Sequence, residues 1–494
     1  MTALLDLSGI SKHFGGVTAL SNVDMTLDAG EVHCLVGENG SGKSTLIKII
    51  SGVQRPEPGA RILIEGREVS HLTPQESTRA GIQVIYQDLS LFPNLTVAEN
   101  IAINGHFGAP HLVRWSALRK SAEAALGKIG VSLDLDAIVG NLTIANRQLV
   151  AICRALTADA KLLIMDEPTA SLTRTEVNSL LNLVRALKAK GICIVFVSHR
   201  LDEVLEVADR VTVLRDGKKV GTYPASEVND KKLAVLMTGK QFSYSLTETD
   251  MTESPVVLSV KGLTRQGEYQ DIDFELRAGE ILGLTGLLGS GRTELALTLF
   301  GMTQPERGEI CLAGKPLMLR SNQHAIEAGI AYVSEDRLTL GLVLDQPISS
   351  NIVVTVLQQL MGRLNLVPET TRQSTVDRWV TNLSIKVSDT ENAVRTLSGG
   401  NQQRVVLAKW LARKPRVLIL DSPTVGVDIS AKDGIYDIVK RLAAEGVAIL
   451  MISDEIPEVL YHSHRIMVMR EGRLSNMHRP HETDEHRLMA AVNA

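Results

Sequence analysis

Short apolar runs alternate with amphipathic stretches along the whole chain. Segments such as 31–37 (EVHCLVG), 161–167 (KLLIMDE) and 192–199 (ICIVFVSH) are nearly continuous runs of Val, Ile, Leu and other apolar residues. Buried parallel strands have this pattern because both faces of their sheet are covered. Between them lie helical stretches such as 116–130 (SALRKSAEAALGKIG). The alternation predicts an α/β fold, with an extra antiparallel sheet at the start of each half and a helical lobe at about 100–160.

The two halves of the chain repeat each other. AGEVHCLVG at 29–37 returns as AGEILGLTG at 278–286, and GIQVIYQD at 81–88 returns as GIAYVSED at 329–336. The repeat spans about half the chain, whereas solenoid repeats are roughly 20–50 residues long. The sequence therefore indicates duplication of one whole domain.

A polar segment separates the two repeats. Residues 241–255 (QFSYSLTETDMTESP) are rich in Ser and Thr and lack the apolar spacing of a helix. We predict a first domain at 1–240, a second domain at 256–494 and a short linker between them.

Composition excludes several classes of protein. With 52 basic and 56 acidic residues the net charge is −4, the opposite of the balance expected for nucleic-acid binding. Only 3% of residues are aromatic, which argues against base-stacking platforms and aromatic sugar clefts. No apolar run approaches the ~18–20 residues that a membrane helix needs, and we expect no signal peptide. The four cysteines lie far apart without a C-x-x-C pair, which excludes a zinc finger or disulfide framework and suits a reducing cytosol.

One segment of the first half has the form G-x-x-x-x-G-K-S. It lies between an apolar strand and a helix-like run, the context that a phosphate-binding loop needs. Its glycines let backbone N–H groups turn toward phosphate oxygens, and the helix N-terminus adds partial positive charge. Lys43 would neutralise the β and γ phosphates and Ser44 would coordinate Mg²⁺, whereas the alternative is a plain glycine-rich turn. The predicted phosphate-binding residues are Gly37, Glu38, Asn39, Gly40, Ser41, Gly42, Lys43, Ser44 and Thr45.

Several further candidates follow other apolar strands. Asp166 ends one strand and can hold Mg²⁺ or its water, while Glu167 can polarise an attacking water as general base, a role worth ~10²–10⁴ in rate. Gln87 follows another strand, and its amide can bond the metal or the attacking water. His199 is either a γ-phosphate contact or a helix-capping residue. Phe14 can stack on an adenine ring, or it is a core residue.

A second phosphate cradle is indicated in the other half. LSGGNQQ at 397–403 places Ser398, Gly399, Gly400 and Asn401 at a helix start, although such a sequence alone could be a simple N-cap. Together with the preceding motifs, in this order, it resembles the ATP-binding-cassette ATPases over essentially the whole chain, twice. The resemblance implies ATP and Mg²⁺ as cofactors, and cassettes with a RecA-like core, an antiparallel β subdomain and a helical signature subdomain. It also implies head-to-tail pairing, with ATP between the P-loop of one cassette and the signature of the other.

The departures from the family pattern sort into one of the two composite sites. The second P-loop has Arg292 in place of Lys43, and the first signature at 142–146 reads LTIAN, without glycines. Head-to-tail pairing combines these altered motifs in one site and leaves the other intact, which implies a single hydrolytic site. The altered site, which lacks the base and the histidine, is expected to bind nucleotide weakly or without turnover. Its residues are Gly286, Gly289, Gly291, Arg292, Thr293, Glu335 (for Gln87), Asp421, Ser422 (for Glu167) and Asp454 (for His199).

Three segments narrow the resemblance to one subfamily. GSGRTE at 289–294, VSEDR at 333–337 and LSGGNQQ are similar to the ATP-binding subunit of bacterial monosaccharide importers, which serve ribose, galactose, xylose, arabinose and autoinducer-2 type substrates. LTIAN and the SDE at 453–455 depart from the usual pattern. The resemblance implies a peripheral ATPase at the cytoplasmic face of the inner membrane. Its partners would be integral-membrane permease subunits, to which a periplasmic or lipid-anchored binding protein delivers a sugar that this chain does not specify.

Two other classes of tandem-cassette protein are alternatives. Cassette proteins that act on ribosomes or translation have a long charged linker and two catalytic glutamates, whereas this chain has a short linker and Ser422. ATPases of DNA repair or chromosomes need a long coiled-coil insertion or zinc cysteines, and the sequence has neither. We therefore expect no nucleic-acid partner.

Overall fold

The computed structural model describes the chain apart from residues 1–2, 70, 104–113, 170–171, 173, 199, 241–245, 247–250, 363–364, 476 and 494. The chain divides into two compact units, Met1–Phe242 and Ser243–Ala494. Most of the predicted linker lies outside the described residues. Within the described ranges, no helix is both long and apolar enough to cross a bilayer.

The first unit is an α/β structure with an additional antiparallel sheet. Its strands are β1 (Leu5–Phe14), β2 (Val17–Leu27), β3 (Val32–Val36), β4 (Arg61–Ile64), β5 (Arg67–Val69), β6 (Ile82–Ile85), β7 (Leu162–Asp166), β8 (Cys193–Val197), β9 (Arg210–Arg215) and β10 (Lys218–Pro224). Its helices are α1 (Lys43–Ile50), α2 (Pro74–Arg79), α3 (Val97–Ala102), α4 (Trp115–Ile129), α5 (Ile144–Leu156), α6 (Arg174–Ala189), α7 (Leu201–Val207) and α8 (Asp230–Thr238).

The strand order of the first unit explains the apolar pattern of the sequence. One sheet is antiparallel with the order β2-β1-β4-β5, and Leu5 at its centre pairs with Leu27 and Ile64. The other has the order β10-β9-β3-β8-β7-β6 and is parallel apart from the β9–β10 pair. Strands β3 and β8 are buried along their whole length, as continuous apolar runs predict for covered parallel strands. The predicted combination of a parallel core sheet and a separate antiparallel sheet is confirmed.

The helices α3, α4 and α5 form the predicted helical lobe. They pack around Ile101, Leu126 and Val150, in a hydrophobic cluster separate from the one that surrounds Leu35 of β3. Helix α3 begins at a capping box in which Thr96 and Glu99 satisfy each other's backbone N–H groups. The lobe therefore has its own apolar core.

The second unit repeats this architecture. Its strands are β11 (Val256–Arg265), β12 (Tyr269–Arg277), β13 (Ile281–Gly286), β14 (Arg307–Leu312), β15 (Lys315–Pro316), β16 (Ile330–Val333), β17 (Val417–Asp421), β18 (Ala448–Ile452), β19 (Arg465–Arg470) and β20 (Arg473–Leu474). Its helices are α9 (Arg292–Leu299), α10 (Asn322–Ala328), α11 (Ile348–Val353), α12 (Leu357–Leu360), α13 (Glu369–Asn382), α14 (Gly399–Leu411), α15 (Ile429–Ala444), α16 (Ile456–His462) and α17 (Glu485–Asn493). The sheet orders are β12-β11-β14-β15 and β16-β17-β18-β13-β19-β20.

Candidate active site

Four adjacent strands of the first unit end in motif residues. Strands β3, β8, β7 and β6 lie side by side and run parallel. The P-loop (residues 37–42) follows β3, and Ser198 follows β8. Asp166 ends β7, and Gln87 lies two residues beyond β6. Because the carboxyl ends of parallel strands meet at one edge, the fold gathers these residues where open α/β sheets bind ligands. His199, the predicted γ-phosphate contact, lies outside the described residues.

The P-loop wraps around a buried ammonium group. Lys43 is 7% exposed, and its Nζ donates hydrogen bonds to the carbonyl oxygens of Gly37 at 2.6 Å and Glu38 at 3.0 Å. The lysine therefore holds its positive charge inside the loop, where phosphate groups would enter. The other predicted phosphate contacts lie in the same loop and in the first turn of α1: Asn39, Gly40, Ser41, Gly42, Ser44 and Thr45.

The backbone of the P-loop requires glycine at a close contact. Gly42 has a φ of +101°, and a Cβ there would lie 2.5 Å from the carbonyl oxygen of Ala19, so only glycine fits. The Ser41 hydroxyl oxygen is buried and has no hydrogen-bond partner among the described residues. A helix start with a buried cation and an unsatisfied hydroxyl fits a phosphate group.

Two neighbouring carboxylates crowd the end of β7. Partial burial and the charge of Glu167 raise the pKa of Asp166, whereas the charges of Lys43 and Lys48 lower it. The negative charge at this strand end is therefore only partly compensated by the lysines. A divalent cation bound beside Asp166 would compensate the rest.

The residues predicted to hold Mg²⁺ are all oxygen donors. Ser44 in the first turn of α1 and Gln87 are exposed, and Asp166 is partly buried. Hydroxyl, amide and carboxylate oxygens suit this hard cation. Within the described residues, no group of three or more His, Cys, Asp or Glu side chains could hold a metal ion. Mg²⁺ commonly takes further ligands from phosphate and water.

The residues that directly follow β7 in the first unit and β17 in the second have a left-handed backbone. Glu167 has a φ of +49°, and its N–H donates to the carbonyl oxygen of Val197 at 2.9 Å. Ser422 has a φ of +47°, and its N–H donates to the carbonyl oxygen of Ile452 at 2.9 Å. Such a conformation costs energy for a residue with a side chain. Both units keep this strained turn, although only the first keeps the carboxylate.

Phe14 lies at the end of β1, in a hairpin beside the P-loop. Its side chain is 44% exposed, and Lys12 Nζ lies 5.6 Å from the ring centroid. The N–H of Ser21 donates to the carbonyl oxygen of Gly217 at 2.8 Å. The N–H of Gly217 in turn donates to the carbonyl oxygen of Ser41 at 3.2 Å. Gly217 thus joins the hairpin to the P-loop. An exposed ring here fits an adenine contact, which stays a prediction.

The signature of the second unit is the first turn of α14 itself. Ser398 is the exposed N-cap residue, and among the described residues its side chain makes no capping hydrogen bond to the first turn. Its hydroxyl oxygen instead accepts a hydrogen bond from Asn401 Nδ2 at 3.1 Å. The first-turn N–H groups therefore lack a side-chain cap, as an anion site at a helix start requires.

Packing within the second unit also requires the signature glycines. A Cβ at Gly399 would lie 2.9 Å from Nη2 of Arg337 and 3.0 Å from the carbonyl oxygen of Gly426. A Cβ at Gly400 would lie 2.7 Å from the Cβ of Ala431. The sequence motif alone did not reveal these contacts, because their partners lie far away along the chain.

The corresponding helix start in the first unit is capped by its own side chain. The Thr143 hydroxyl accepts a hydrogen bond from the N–H of Asn146 at 3.3 Å. Ile144, at the position of Gly399, is 48% exposed. A capped first turn with an exposed apolar side chain is a poor anion cradle.

The second P-loop keeps its backbone and changes its charge. Gly291 has a φ of +100°, close to the +101° of Gly42. Arg292 is 8% exposed, and its Nη1 has no hydrogen-bond partner among the described residues. Burial lowers the pKa of Arg292, whereas the charges of Asp454 and Asp421 raise it.

Carboxylates replace neutral or basic groups near this arginine. Partial burial and the charges of Asp421 and Asp454 raise the pKa of Glu335, and the charge of Arg292 lowers it. Phosphate groups brought to this P-loop would meet several carboxylates and a single arginine, so their binding is disfavoured relative to the first unit.

Asp421, the equivalent of Asp166, is engaged by side chains of its own unit. It is 1% exposed and accepts a hydrogen bond from the Tyr332 hydroxyl at 3.0 Å, and the Thr293 side chain is also hydrogen-bonded to it. Burial raises the pKa of Asp421. The residue of the first unit that aligns with Tyr332 is Val84, as the alignment of GIQVIYQD with GIAYVSED shows. Only the pairing of β16 with β17 places the hydroxyl beside Asp421.

Comparisons with known proteins match both units. The family model described as "ABC transporter" matches residues 20–170 and 269–425. Ribose import ATP-binding protein RbsA 2 of Rubrobacter xylanophilus is 45% identical and covers 98% of this chain and 94% of its own length. A putative ribose/galactose/methyl galactoside import ATP-binding protein of Agrobacterium fabrum is 43% identical, over 99% of this chain and 97% of its own length. Ribose import ATP-binding protein RbsA of Geobacillus kaustophilus is 40% identical, with 99% of each chain covered.

Proposed function

The chain belongs to the ABC transporter family, and we propose that it is the ATP-hydrolysing subunit of a monosaccharide importer. Its relatives are named as import ATP-binding proteins for ribose or for ribose and galactosides. By this proposal the chain powers import of a monosaccharide or related small sugar through a separate membrane permease.

One competent composite ATP site is the centre of the proposal. It would combine the P-loop, Asp166 and Glu167 of the first unit with the uncapped signature helix of the second, through head-to-tail pairing. The observation that carries it is the sorting of the motifs, since the capped signature and the acidic P-loop would both fall in the other site. Losses that accumulate independently in the two sites would have no reason to sort in this way.

Each residue of the competent site has a separable task. Lys43 and the P-loop N–H groups bind the β and γ phosphates from one side, and the N–H groups at the start of α14 bind the γ phosphate from the other. Glu167 polarises the attacking water, and His199 contacts the γ phosphate. Ser44, Gln87 and Asp166 would hold Mg²⁺, which would neutralise phosphate charge when bound. Phosphoryl transfer needs little more than this positioning and charge stabilisation.

The second composite site would bind nucleotide weakly or without turnover. Ser422 has no carboxylate to polarise water, and Asp454 takes the place of the histidine. Asp421 is already hydrogen-bonded to Tyr332, and the neighbouring carboxylates repel phosphate charge. This site would therefore contribute little to ATP turnover.

The proposed partners are permease subunits in the membrane. The chain would lie at the cytoplasmic face of the inner membrane, and a periplasmic or lipid-anchored binding protein would act through the permease. ATP-driven closure of the two units would move the permease, with the loops after Gln87 and Glu335 transmitting the motion. The net charge of −4 favours docking on protein over nucleic acid. A ribosomal role is less favoured because Ser422 replaces the second glutamate.

A complementation experiment tests this function. Cells that lack the chain should lose ATP-dependent uptake of one monosaccharide from a panel of labelled pentoses, hexoses and deoxysugars. Wild-type chain should restore uptake, and Lys43→Ala should not. Unchanged uptake of every sugar, together with co-sedimentation of the chain with ribosomes, would contradict the importer proposal.

A further inference from the structure

A buried glutamate connects the two loops that carry the catalytic groups of the first unit. Glu203 lies in α7 and is 0% exposed. Its Oε2 accepts hydrogen bonds from Thr169 Oγ1 at 2.5 Å and from Ser198 Oγ at 3.4 Å. Thr169 lies two residues after Glu167, and Ser198 directly precedes His199 in the sequence. One carboxylate oxygen therefore binds both loops.

The carboxylate of Glu203 has a charged partner. Arg200 Nε lies 3.1 Å from Glu203 Oε1, and the N–H of Arg200 donates to Ser198 Oγ at 3.0 Å. Burial raises the pKa of Glu203, whereas Thr169, Arg200 and Ser198 lower it. The Ser198 hydroxyl donates to the glutamate and accepts from Arg200. Ser198 and Arg200 therefore both contact this one buried carboxylate.

The second unit repeats the network where the catalytic residues are lost. Glu458 is 4% exposed and accepts hydrogen bonds from Thr424 Oγ1 at 3.2 Å and from the Ser453 hydroxyl. Thr424 lies two residues after Ser422, and Ser453 directly precedes Asp454. The network is therefore a feature of the fold, and the second unit offers a matched control in the same chain.

The charge around the second glutamate differs from that in the first unit. The position of Arg200 is Glu455, which pairs with Lys432 at 2.6 Å. Burial and the charge of Glu455 raise the pKa of Glu458 to about 7. The charge of Lys432 lowers the pKa of Glu458, but its ammonium is paired with Glu455. Arg200 of the first unit instead contacts Glu203 directly.

We propose that Glu203 is a positioning residue for ATP hydrolysis. Through Thr169 and Ser198 it holds the loop that carries Glu167 at a fixed separation from the carboxyl end of β8, so that Glu167 is positioned against the γ-phosphoryl group. This inference rests on the proposed function of the first-unit site. A displacement of about 1 Å in a catalytic group can cost roughly 10²-fold in rate, so a single hydrogen bond in this network can affect kcat.

The experiment removes one hydroxyl from each network. Thr169→Val keeps the shape of the side chain and removes its hydrogen bond to Glu203. Thr169→Ser keeps the hydroxyl and removes only the methyl group. Thr424→Val makes the matched change in the second unit. Steady-state hydrolysis of Mg·ATP by the full chain gives kcat and KM, and thermal unfolding gives stability. We expect Thr169→Val to lower kcat about tenfold or more while KM changes less than about threefold. Thr169→Ser and Thr424→Val should keep kcat within about threefold of wild type.

Several results would overturn the inference. Equal losses of kcat in Thr169→Val and Thr424→Val would assign both networks to general stability, as would a loss that follows the unfolding temperature. An unchanged kcat in Thr169→Val would also overturn it. If Thr169→Val does not fold, the pair Glu203→Gln and Glu458→Gln makes the same comparison, with the same expected contrast. A wild-type chain without ATPase activity would instead overturn the proposed function, and this inference with it.

Discussion

Replacing Lys43 with arginine would transfer the altered P-loop residue of the second unit to the first. Lys43 Nζ lies 2.6 Å from the carbonyl oxygen of Gly37 and 3.0 Å from that of Glu38, in a loop that leaves the residue 7% exposed. A planar guanidinium is larger than an ammonium and cannot take its place between these carbonyls and the phosphates. A hydrogen bond to a charged group is worth ~1.5–3 kcal/mol. If arginine fails to make the two charge-assisted contacts proposed for Lys43 with the β and γ phosphates, the loss of about 3–6 kcal/mol lowers kcat/KM roughly 10²–10⁴-fold.

Phosphate release at increasing Mg·ATP concentration measures this effect. Arg292→Lys makes the reverse exchange in the second unit. It should not raise kcat by more than about twofold, because Ser422 and Asp454 still provide neither base nor histidine. A Lys43→Arg chain within about threefold of wild-type kcat/KM would refute the reasoning about the loop. So would a severalfold gain in ATPase activity on Arg292→Lys.

Two further predictions concern stability. Gly400→Ala should lower the unfolding temperature, since its Cβ would lie 2.7 Å from that of Ala431 and overpacking costs ~1–3 kcal/mol. In α4, a Cβ at Gly127 would have no other atom within 4 Å, so Gly127→Ala should raise the free energy of unfolding by ~0.5–1 kcal/mol. Equal changes of stability in the two variants would contradict this packing. The pKa of Glu458, raised by burial from 4.5 to about 7, gives a stabilising contribution that is present below pH 4.5 and lost as the pH rises through 7. Denaturant unfolding at about pH 5 and pH 8 should therefore show Glu458→Gln gaining stability relative to wild type at the higher pH, and the opposite trend would contradict the shift.

The sequence could predict those parts of the fold and site that depend on local order along the chain. The continuous apolar runs identified the buried strands, because a parallel strand covered on both faces needs apolar residues at every position. The P-loop and the Asp166–Glu167 pair could be predicted because each is a short segment whose chemistry is contained in its own residues. Aligning the two halves then identified the substitutions at Arg292 and Ser422.

Contacts between distant segments could not be predicted in this way. The Tyr332 hydroxyl reaches Asp421 only because β16 pairs with β17, and the sequence contains no signal for that register. The need for glycine at Gly400 arises from Ala431 on a different helix. Likewise, Glu203 joins Thr169 and Ser198 across elements that are far apart along the chain. Such contacts depend on side-chain packing in three dimensions, which hydrophobic patterns do not encode.

If the chain has one hydrolytic site, Glu167→Gln removes nearly all of its ATPase activity. The substitution keeps the size of the side chain and removes the general base, a role worth ~10²–10⁴ in rate. Steady-state Mg·ATP hydrolysis by the full chain should fall at least about 100-fold, while ATP binding is retained. Retention of more than about a tenth of wild-type kcat would show that the second site also turns over ATP, and would contradict the account.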